Sequence, residues 1–250
     1  MNQQERMDEI MKILKKNNYV TVEYIIKKLE YSPTTVRRDL ALLEKQGEIK
    51  RTYGGAELVN KGKIPFTFRR HFMKKEKRSI AAEAEKLIKD GDTVFLDPST
   101  TTSYLVDYII NKKNVTVVTP HIGNGLFLFE HGVRTYITAG WISKGDSSGA
   151  LIGQSLNYFN IDIGFIDSTG ISKDGYMNSR YDSVPEIIRA IRRNCREIVV
   201  LTTGPKFSFE AQNKCISLSE VDYVISDINV DEKIKYKCPN TKFICVEKEV

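Results

Sequence analysis

The 250-residue sequence lacks the features that mark membrane, secreted and zinc-binding proteins. No uninterrupted apolar run approaches the roughly 18 residues that a membrane helix needs. The amino terminus, MNQQERMDEIMKILKK, carries charge throughout and has no apolar core of a signal peptide. Its four cysteines show no Cys-x-x-Cys spacing, so neither a disulfide framework nor a metal site is indicated. We therefore expect a cytoplasmic protein without metal, cofactor or membrane contact.

Positive charge is concentrated in the first third of the chain. Residues 1–80 contain 19 Lys and Arg against 10 Asp and Glu, a balance of +9. Residues 81–250 contain 19 against 22, a balance of −3, and the two sums give the net charge of +6. A basic head on a mildly acidic body favours a polyanion as the partner of the head, although solubility alone explains the charge about equally well.

The first 56 residues follow the pattern of three helices and a hairpin. Apolar spacing predicts a helix over residues 3–16 and a second, short helix capped by Thr21. A third helix starts with Ser32 as N-cap and Pro33 at its first helical position, which is the order that helix chemistry favours. Residues 49–56 then predict two short strands around a Gly-Gly turn, which is the pattern of a wing.

The third predicted helix carries the signal for DNA binding. Its apolar residues share one face, while hydroxyl and arginine side chains lie near its amino-terminal end on other faces. Arginine can bind guanine edges or phosphates, and threonine can reach a phosphate or a thymine methyl in the major groove of double-stranded DNA. A pair of arginines alone is more often a solvated helix face, but the preceding helix, the Ser-Pro start and the wing favour DNA. The candidate DNA-binding residues are Ser32, Thr34, Thr35, Arg37, Arg38, Lys50 and Arg51.

These residues resemble a known family of bacterial transcription regulators. Residues 32–40 read SPTTVRRDL and residues 54–56 read GGA, a combination similar to the recognition helix and wing of the DeoR family. The resemblance implies a winged helix-turn-helix followed by a sugar-phosphate-sensing domain. It also implies a repressor of a carbohydrate-metabolism operon that releases its operator when a phosphorylated sugar binds. We expect a homo-oligomer, because a single such module seldom holds an operator alone.

The rest of the chain alternates β-branched runs with helical patterns. This alternation predicts an α/β domain with a largely parallel sheet, which through the family resembles the ribose-5-phosphate isomerase fold. The predicted strands cover residues 93–96, 115–119, 134–138, 162–167, 197–201, 223–226 and 242–246, and the predicted helices cover residues 101–110, 123–129 and 184–195. The predicted domains are a winged helix-turn-helix, mostly α, over residues 1–57, a linker over 58–75, and an effector-sensing domain over 76–250.

A cluster of hydroxyl side chains follows the first strand of this domain. Ser99, Thr100 and Thr101 stand between a strand and a helix, where hydroxyl and backbone N–H groups can bind a phosphate. In parallel sheets ligands bind beyond the carboxyl ends of the strands, which is where this segment lies. Simple N-capping by Ser99 or Thr100 fits the segment equally well, so both interpretations stay open.

The family resemblance implies an effector pocket formed by several segments. The matching positions are Asp97, Ser99, Thr100, Thr101, Thr119, Gly140, Asp162, Glu186 and Lys206. Four residues depart from the family pattern: Ser99 and Ala139 each replace a glycine, Pro120 replaces an asparagine, and Thr203 replaces the aspartate of an Asp-x-x-Lys motif. Because these changes remove backbone freedom and hydrogen-bonding groups, we expect an atypical effector, or none that binds tightly.

Other classes of protein fit the sequence less well. An isomerase-like enzyme would need an acid–base set for a sugar phosphate, for which the candidates are Asp97, Asp162, Glu186 and Lys206. An adaptor would instead use the α/β domain to bind a protein partner. Residues 145–149 match the Gly-x-Ser-x-Gly pattern of serine hydrolases, but all three histidines precede Ser147, so a flexible loop is predicted there.

Overall fold

The computed structural model describes residues 3–17, 19–52, 54–58, 66–143, 146–148, 151–207 and 209–246. The chain forms two compact units, Met1–Lys74 and Lys75–Val250, and each has its own buried apolar core. Residues 59–65 of the predicted linker lie outside the described residues. The rest of that linker contains a short helix, Phe66–His71, which belongs to the first unit.

The first unit consists mostly of helices packed on a small sheet. Its helices are α1 (Gln3–Asn17), α2 (Val22–Leu29), α3 (Pro33–Lys45) and α4 (Phe66–His71), and its strands are β1 (Tyr19–Thr21), β2 (Ile49–Thr52) and β3 (Gly55–Leu58). The three predicted helices and the predicted hairpin are all present. Val36 and Leu40 of α3 are buried together with Ile10 of α1 and Ile25 of α2, so the apolar stripes meet in one core.

Local capping fixes the turn between α2 and α3. The Thr21 hydroxyl accepts a hydrogen bond from the N–H of Tyr24 at 3.0 Å, and the Ser32 hydroxyl accepts one from the N–H of Thr35 at 3.2 Å. Glu30 ends α2 in the left-handed conformation, with φ 56°. Both predicted N-caps are therefore confirmed, and the turn between the helices is short.

The sheet of the first unit has three strands, one more than the sequence predicted. β3 is the central strand and pairs antiparallel with both β1 and β2. A Cβ atom at Gly55 would lie 2.5 Å from the carbonyl oxygen of Val20 and 2.3 Å from the Tyr19 hydroxyl. Only glycine permits this approach, so the Gly-Gly turn of the wing also serves the pairing of β3 with β1.

The second unit is an α/β domain. Its helices are α5 (Lys74–Glu85), α6 (Val106–Ile109), α7 (Ile122–Glu130), α8 (Leu151–Leu156), α9 (Val184–Asn194) and α10 (Glu232–Lys237). Its longer sheet contains β4 (Thr93–Leu96), β5 (Thr116–Thr119), β6 (Arg134–Ile137), β9 (Ile161–Ile166), β12 (Cys195–Thr202), β14 (Tyr223–Ser226) and β15 (Lys242–Cys245). Its shorter strands are β7 (Trp141–Ser143), β8 (Asp146–Ser148), β10 (Gly170–Ile171), β11 (Tyr176–Ser179) and β13 (Asn213–Ser217).

The longer sheet is parallel throughout, in the order β15-β14-β12-β9-β4-β5-β6. Its seven strands are the seven segments that the sequence predicted. Apolar clusters are buried on both of its faces, as expected for a parallel sheet covered by helices. Because all strands run the same way, the loops after β4, β5, β6, β9, β12 and β14 meet at one edge, called here the carboxyl edge.

One local expectation was met in part, one was wrong, and one sheet was missed. The segment predicted as a helix over 101–110 is helical, but as a 3₁₀ turn, Thr102–Tyr104, followed by the short helix α6. The predicted flexible loop contains β8, which pairs antiparallel with β7, so residues 146–148 are strand. A small antiparallel sheet, β10-β11-β13, was not predicted at all, because β11 and β13 carry polar residues that do not alternate with apolar ones in the usual way.

Candidate functional site

The amino-terminal half of α3 presents an exposed polar surface. Thr34, Arg37 and Arg38 are exposed, whereas Val36 between them is buried in the core. Thr35 is half-buried, and its hydroxyl lies 2.9 Å from that of Ser32. Ser32 and Thr35 therefore also serve the N-cap of α3, while Thr34 and the two arginines form its outer face.

A buried carboxylate beside the two arginines was missed by the sequence analysis. Asp39 is only 1% exposed and accepts hydrogen bonds from Arg6 Nε at 2.8 Å and Arg6 Nη2 at 3.2 Å. Gln3 Nε2 also donates to it at 3.3 Å, and the Arg6 guanidinium lies 5.4 Å from the ring centroid of Tyr31. Asp39 thus joins α1 to α3 and fixes the helix that carries the exposed arginines.

The wing places further cations on the surface of the first unit. Lys50 and Arg51 of β2 are both exposed. Glu44 at the end of α3 accepts the N–H of Arg51 at 2.8 Å, and its carboxylate also lies 3.9 Å from the Arg51 guanidinium. The charge of Arg51 is thereby partly offset by Glu44, whereas Lys50 faces Glu57 only as its register partner on β3.

In the second unit, the loop after β4 is organised around Asp97. One carboxylate oxygen of Asp97 accepts from the N–H of Ser99 at 3.1 Å and from the Thr102 hydroxyl at 2.8 Å. The Ser99 hydroxyl caps the N–H of Thr102 at 3.1 Å. Capping by Ser99 is therefore present, and the hydroxyls of Thr100 and Thr101 are directed to other partners.

Those partners are a lysine and an aspartate that the sequence analysis did not select for the site. Lys77 of α5 is buried and donates to the Thr100 hydroxyl at 2.9 Å. The Thr101 hydroxyl donates at 3.0 Å to Oδ2 of Asp167, the residue that follows β9. Lys206, after β12, forms an ion pair with the same oxygen of Asp167. The position of Asp167, an acidic residue at the end of a predicted strand, was the signal that could have identified it.

Two carboxylates come close together at this edge. Asp97 Oδ2 accepts the backbone N–H of Asp167 at 2.7 Å. Burial, and secondarily the negative charge of Asp167, raises the pKa of Asp97 from 3.8 to about 6. Hydrogen bonds from Thr102, Asp167 and Ser99 act in the opposite direction without cancelling the shift.

Thr119 and Gly140 also lie at the carboxyl edge, at the ends of the neighbouring strands. Thr119 is buried, and its hydroxyl accepts the N–H of His121 at 3.1 Å. His121 Nδ1 in turn caps α7 by accepting the N–H of Asn124 at 2.8 Å. Gly140 is exposed and has φ 150°. The turn after β5, which contains Pro120, is therefore held by its own hydrogen bonds.

Asp162 and Glu186 are not brought to this cluster, contrary to the expectation from the resemblance. Asp162 stands at the amino end of β9, where it accepts the N–H of Thr93 at 2.9 Å and pairs with Arg196 at 3.1 Å. It is thus separated from Asp97 by the length of a strand. Glu186 lies exposed on α9 and pairs with Arg189 at 2.8 Å. Both carboxylates have structural partners away from Asp97 and Lys206.

The turn that carries Lys206 is held from the next strand. Thr203 is buried, and the N–H of Gly204 donates to Asp227 Oδ1, after β14, at 2.7 Å. Within the described residues, no group of three or more His, Cys, Asp or Glu side chains could hold a metal ion. The helices of that same part of the chain are all too short or too polar to cross a bilayer.

A winged helix-turn-helix with exposed arginines, followed by an α/β domain with a polar cluster at its carboxyl edge, defines a DNA-binding transcription regulator with a sensor domain. Family models match both parts: a DeoR-like helix-turn-helix domain over residues 6–62 and a DeoR C-terminal sensor domain over residues 73–228. The chain belongs to the DeoR family.

Characterised relatives extend over almost the whole chain. The glycerol-3-phosphate regulon repressor of Escherichia coli is 31% identical over 235 residues, which cover 91% of this chain and 92% of the relative. The HTH-type transcriptional repressor GlcR of Bacillus subtilis is 31% identical over 232 residues, covering 91% and 89%. Among solved structures, a D-ribose-5-phosphate isomerase in complex with phospho-erythronic acid matches 52% of each chain with a TM-score of 0.40 and 16% identity.

Proposed function

We propose that this protein is a sequence-specific transcriptional repressor that leaves its operator when a small phosphorylated ligand, a sugar or polyol phosphate, binds its α/β domain. The observation that carries the DNA-binding part is the outer face of α3, where Thr34, Arg37 and Arg38 are exposed at the amino-terminal half of the helix. The two relatives described above, which each match 91% of the chain, are repressors by name, and this supports repression rather than activation.

The geometry of the first unit suits a major groove. An α-helix fits the groove when its amino-terminal residues reach the base edges, and arginine there can form two hydrogen bonds with guanine. Lys50 and Arg51 on the wing would then contact phosphates and fix the orientation of the helix. Because one such helix reads only one half-site, we propose that at least two copies bind together.

The ligand site that we propose lies at the carboxyl edge, between the loop after β4 and the turn after β12. Lys206 offers a cation that is 25% exposed, and Asp167 joins it to the buried Thr101 hydroxyl. The half-buried Ser99 carries a further hydroxyl group on the loop after β4. The buried amine of Lys77 holds the loop through Thr100. A cation with neighbouring hydroxyl groups is a suitable binding site for a phosphate or another small anion.

The alternative of an isomerase-like enzyme has less support from the same geometry. The acid–base set would require Asp162 and Glu186 near Asp97 and Lys206. Asp162 accepts a hydrogen bond from Thr93 and pairs with Arg196 at the opposite end of β9. Glu186 forms surface ion pairs on α9. We therefore propose that the α/β domain binds a phosphorylated ligand without converting it.

The experiment is a fluorescence-anisotropy titration of the protein with DNA from upstream of its own gene, with and without a panel of sugar phosphates. We expect one DNA segment to bind in the nanomolar range and to be displaced by its own unlabelled copy more readily than by random DNA. We also expect at least one compound of the panel to release the protein from that segment. Equal affinity for specific and random DNA would contradict it. Turnover of ribose 5-phosphate by the purified protein would favour the enzyme instead.

A further inference from the structure

We propose that Asp167 is the residue that positions Lys206 for the ligand, and that it supplies from the neighbouring strand β9 a carboxylate that Lys206 lacks on its own strand. The inference rests on the proposed function, because it concerns the same ligand site. It identifies a positioning residue that the match to the family pattern did not mark. It also narrows the ligand to one that carries a hydroxyl group next to its anionic group.

The sheet topology brings the two residues together. β9 and β12 are parallel neighbours, with Ile166 beside Val200 at their carboxyl ends. Asp167 directly follows β9, and Lys206 closes the 3₁₀ turn after β12. The Asp167 side chain is buried and that of Lys206 is partly exposed. The ammonium group of Lys206 is therefore paired with a buried carboxylate while it remains accessible to solvent.

The Asp167 carboxylate is fixed in orientation by several donors. Its Oδ2 accepts from the Thr101 hydroxyl at 3.0 Å as well as from Lys206, and its Oδ1 accepts the N–H of Ser168 at 2.7 Å. Its own N–H is bonded to Asp97. A buried carboxylate with donors on both oxygens has little rotational freedom, so the lysine bound to it has a defined position.

The strand that carries Lys206 offers no equivalent carboxylate. The residue three positions earlier is the buried Thr203, whose side chain carries no charge. Asp227 is engaged with the N–H of Gly204 and supports the turn. Asp167 therefore supplies, from across the sheet, the carboxylate that the segment around Lys206 lacks.

This arrangement has a consequence for the ligand. A phosphate that binds Lys206 replaces part of its pairing with Asp167, which leaves a buried carboxylate with an acceptor site beside the phosphate. Such an acceptor must be satisfied by a donor. A hydroxyl group of a polyol or sugar phosphate supplies that donor, whereas sulfate, a tetrahedral anion that carries no proton at neutral pH, does not.

The first test measures acetylation of Lys206 by acetic anhydride in the ligand-free, full-length protein, quantified by peptide mass spectrometry. In Asp167→Asn we expect Lys206 to react about fivefold faster, which is the scale of one partly exposed ion pair. Lys112, which has a comparable exposure of 20% and pairs with Glu85, should react as before. The matched control is Asp174→Asn, which removes the partner of Lys214 and should leave Lys206 unaffected.

A second variant tests whether a carboxylate at position 203 can replace that of Asp167. Adding Thr203→Asp to Asp167→Asn returns a carboxylate to the strand of Lys206, and the acetylation rate should come within about twofold of wild type. An unchanged rate in folded Asp167→Asn, or a double variant as reactive as the single one, overturns the assignment. If Asp167→Asn does not fold by circular dichroism, Asp167→Ser, which keeps an oxygen near Thr101, takes its place with the same expectations.

A calorimetric titration with glycerol 3-phosphate and sulfate tests the ligand class. In Asp167→Asn the preference for glycerol 3-phosphate over sulfate should fall about tenfold, because one charged hydrogen bond to the hydroxyl is lost. An equal loss for both compounds overturns the role of Asp167 as hydroxyl acceptor. If neither compound nor any other sugar phosphate binds the wild type, the proposed function fails, while the acetylation rates still decide whether Asp167 positions Lys206.

Discussion

Arg6 and Asp39 form an ion pair through two hydrogen bonds, 2.8 and 3.2 Å long, that links α1 to α3. Asp39 directly follows the two exposed arginines, yet its side chain is 99% inaccessible because α3 turns it inward. The segment Arg37-Arg38-Asp39 therefore combines a surface for DNA with a structural contact to α1. The arginines face outward, and the aspartate fixes the helix that presents them.

Replacing Asp39 should affect folding, whereas replacing Arg37 should affect only DNA binding. Asp39→Asn removes the charge that Arg6 needs, and we expect the midpoint of thermal unfolding of the first unit to fall by roughly 5 °C. Arg37→Ala exposes no new polar group and should unfold as the wild type does. Differential scanning calorimetry on both variants checks this contrast, and equal midpoints for Asp39→Asn and wild type would show that the pair is dispensable.

The salt dependence of operator binding should report the arginines directly. Arg37→Ala or Arg38→Ala should reduce the slope of log K against log salt by about one unit for each phosphate contact that is lost. An arginine that contacts a base should instead reduce discrimination between sequences by about 1–3 kcal/mol. Arg192→Ala, an exposed arginine of the α/β domain, serves as the control and should bind like wild type. Wild-type slopes in both variants would mean that α3 does not meet DNA.

Glu44 should weaken the contribution of the wing to DNA binding. Its carboxylate lies 3.9 Å from the Arg51 guanidinium, and both side chains are more than two-fifths exposed. Glu44→Gln keeps an oxygen for the N–H of Arg51 but removes the competing charge, so we expect operator affinity to rise about two- to fivefold at low salt. The gain should disappear at high salt. Anisotropy titrations at two salt concentrations measure it, and a loss of affinity would contradict the role given to Arg51.

The raised pKa of Asp97 makes stability depend on pH in a predictable direction. Between its usual value of 3.8 and its folded value of about 6, the folded chain keeps a proton that the unfolded chain has lost. The contribution of Asp97 to stability therefore falls as pH rises through this window and is constant above it. In Asp97→Asn this dependence is absent, so wild type should lose about 2.4 kcal/mol relative to the variant between pH 4 and pH 7.5.

Guanidinium unfolding of both proteins at these two pH values measures that difference. Any constant cost of Asp97→Asn, such as the loss of the acceptor for the N–H of Asp167, cancels when the two pH values are compared. If the difference in unfolding free energy between variant and wild type is the same at both pH values, Asp97 ionises at its usual pKa and the prediction is wrong.

Local signals explain why much of this fold could be predicted from the sequence. Ser32 and Pro33 specify the start of α3 through backbone chemistry that depends on near neighbours only. The five inner strands of the longer sheet, from β14 to β5, are mostly buried runs rich in β-branched residues, which makes them visible without tertiary information. The pairing of Tyr19–Thr21 with β3 depends on residues more than 30 positions away, and three residues are too few to show a period.

The ligand site was less predictable, because its contacts join residues far apart in the chain. Asp167 meets Thr101 across 66 positions and Lys206 across 39. Asp162 was selected by its match to a pattern, although the predicted strand over 162–167 placed it at the amino end and Asp167 at the carboxyl end. The contacts of Asp167 with Thr101 and Lys206 are seen only in the folded chain.

The most direct test of the whole account is a thermal-shift screen of the purified protein against a panel of sugar and polyol phosphates, followed by operator titration with any compound that stabilises it. A ligand at a hundred times its dissociation constant should stabilise the native state by about 2.7 kcal/mol. We predict that at least one compound of the panel stabilises the protein in this way and that the same compound releases the operator. Specific operator binding with no stabilisation by any member of the panel would contradict a phosphorylated ligand as the signal.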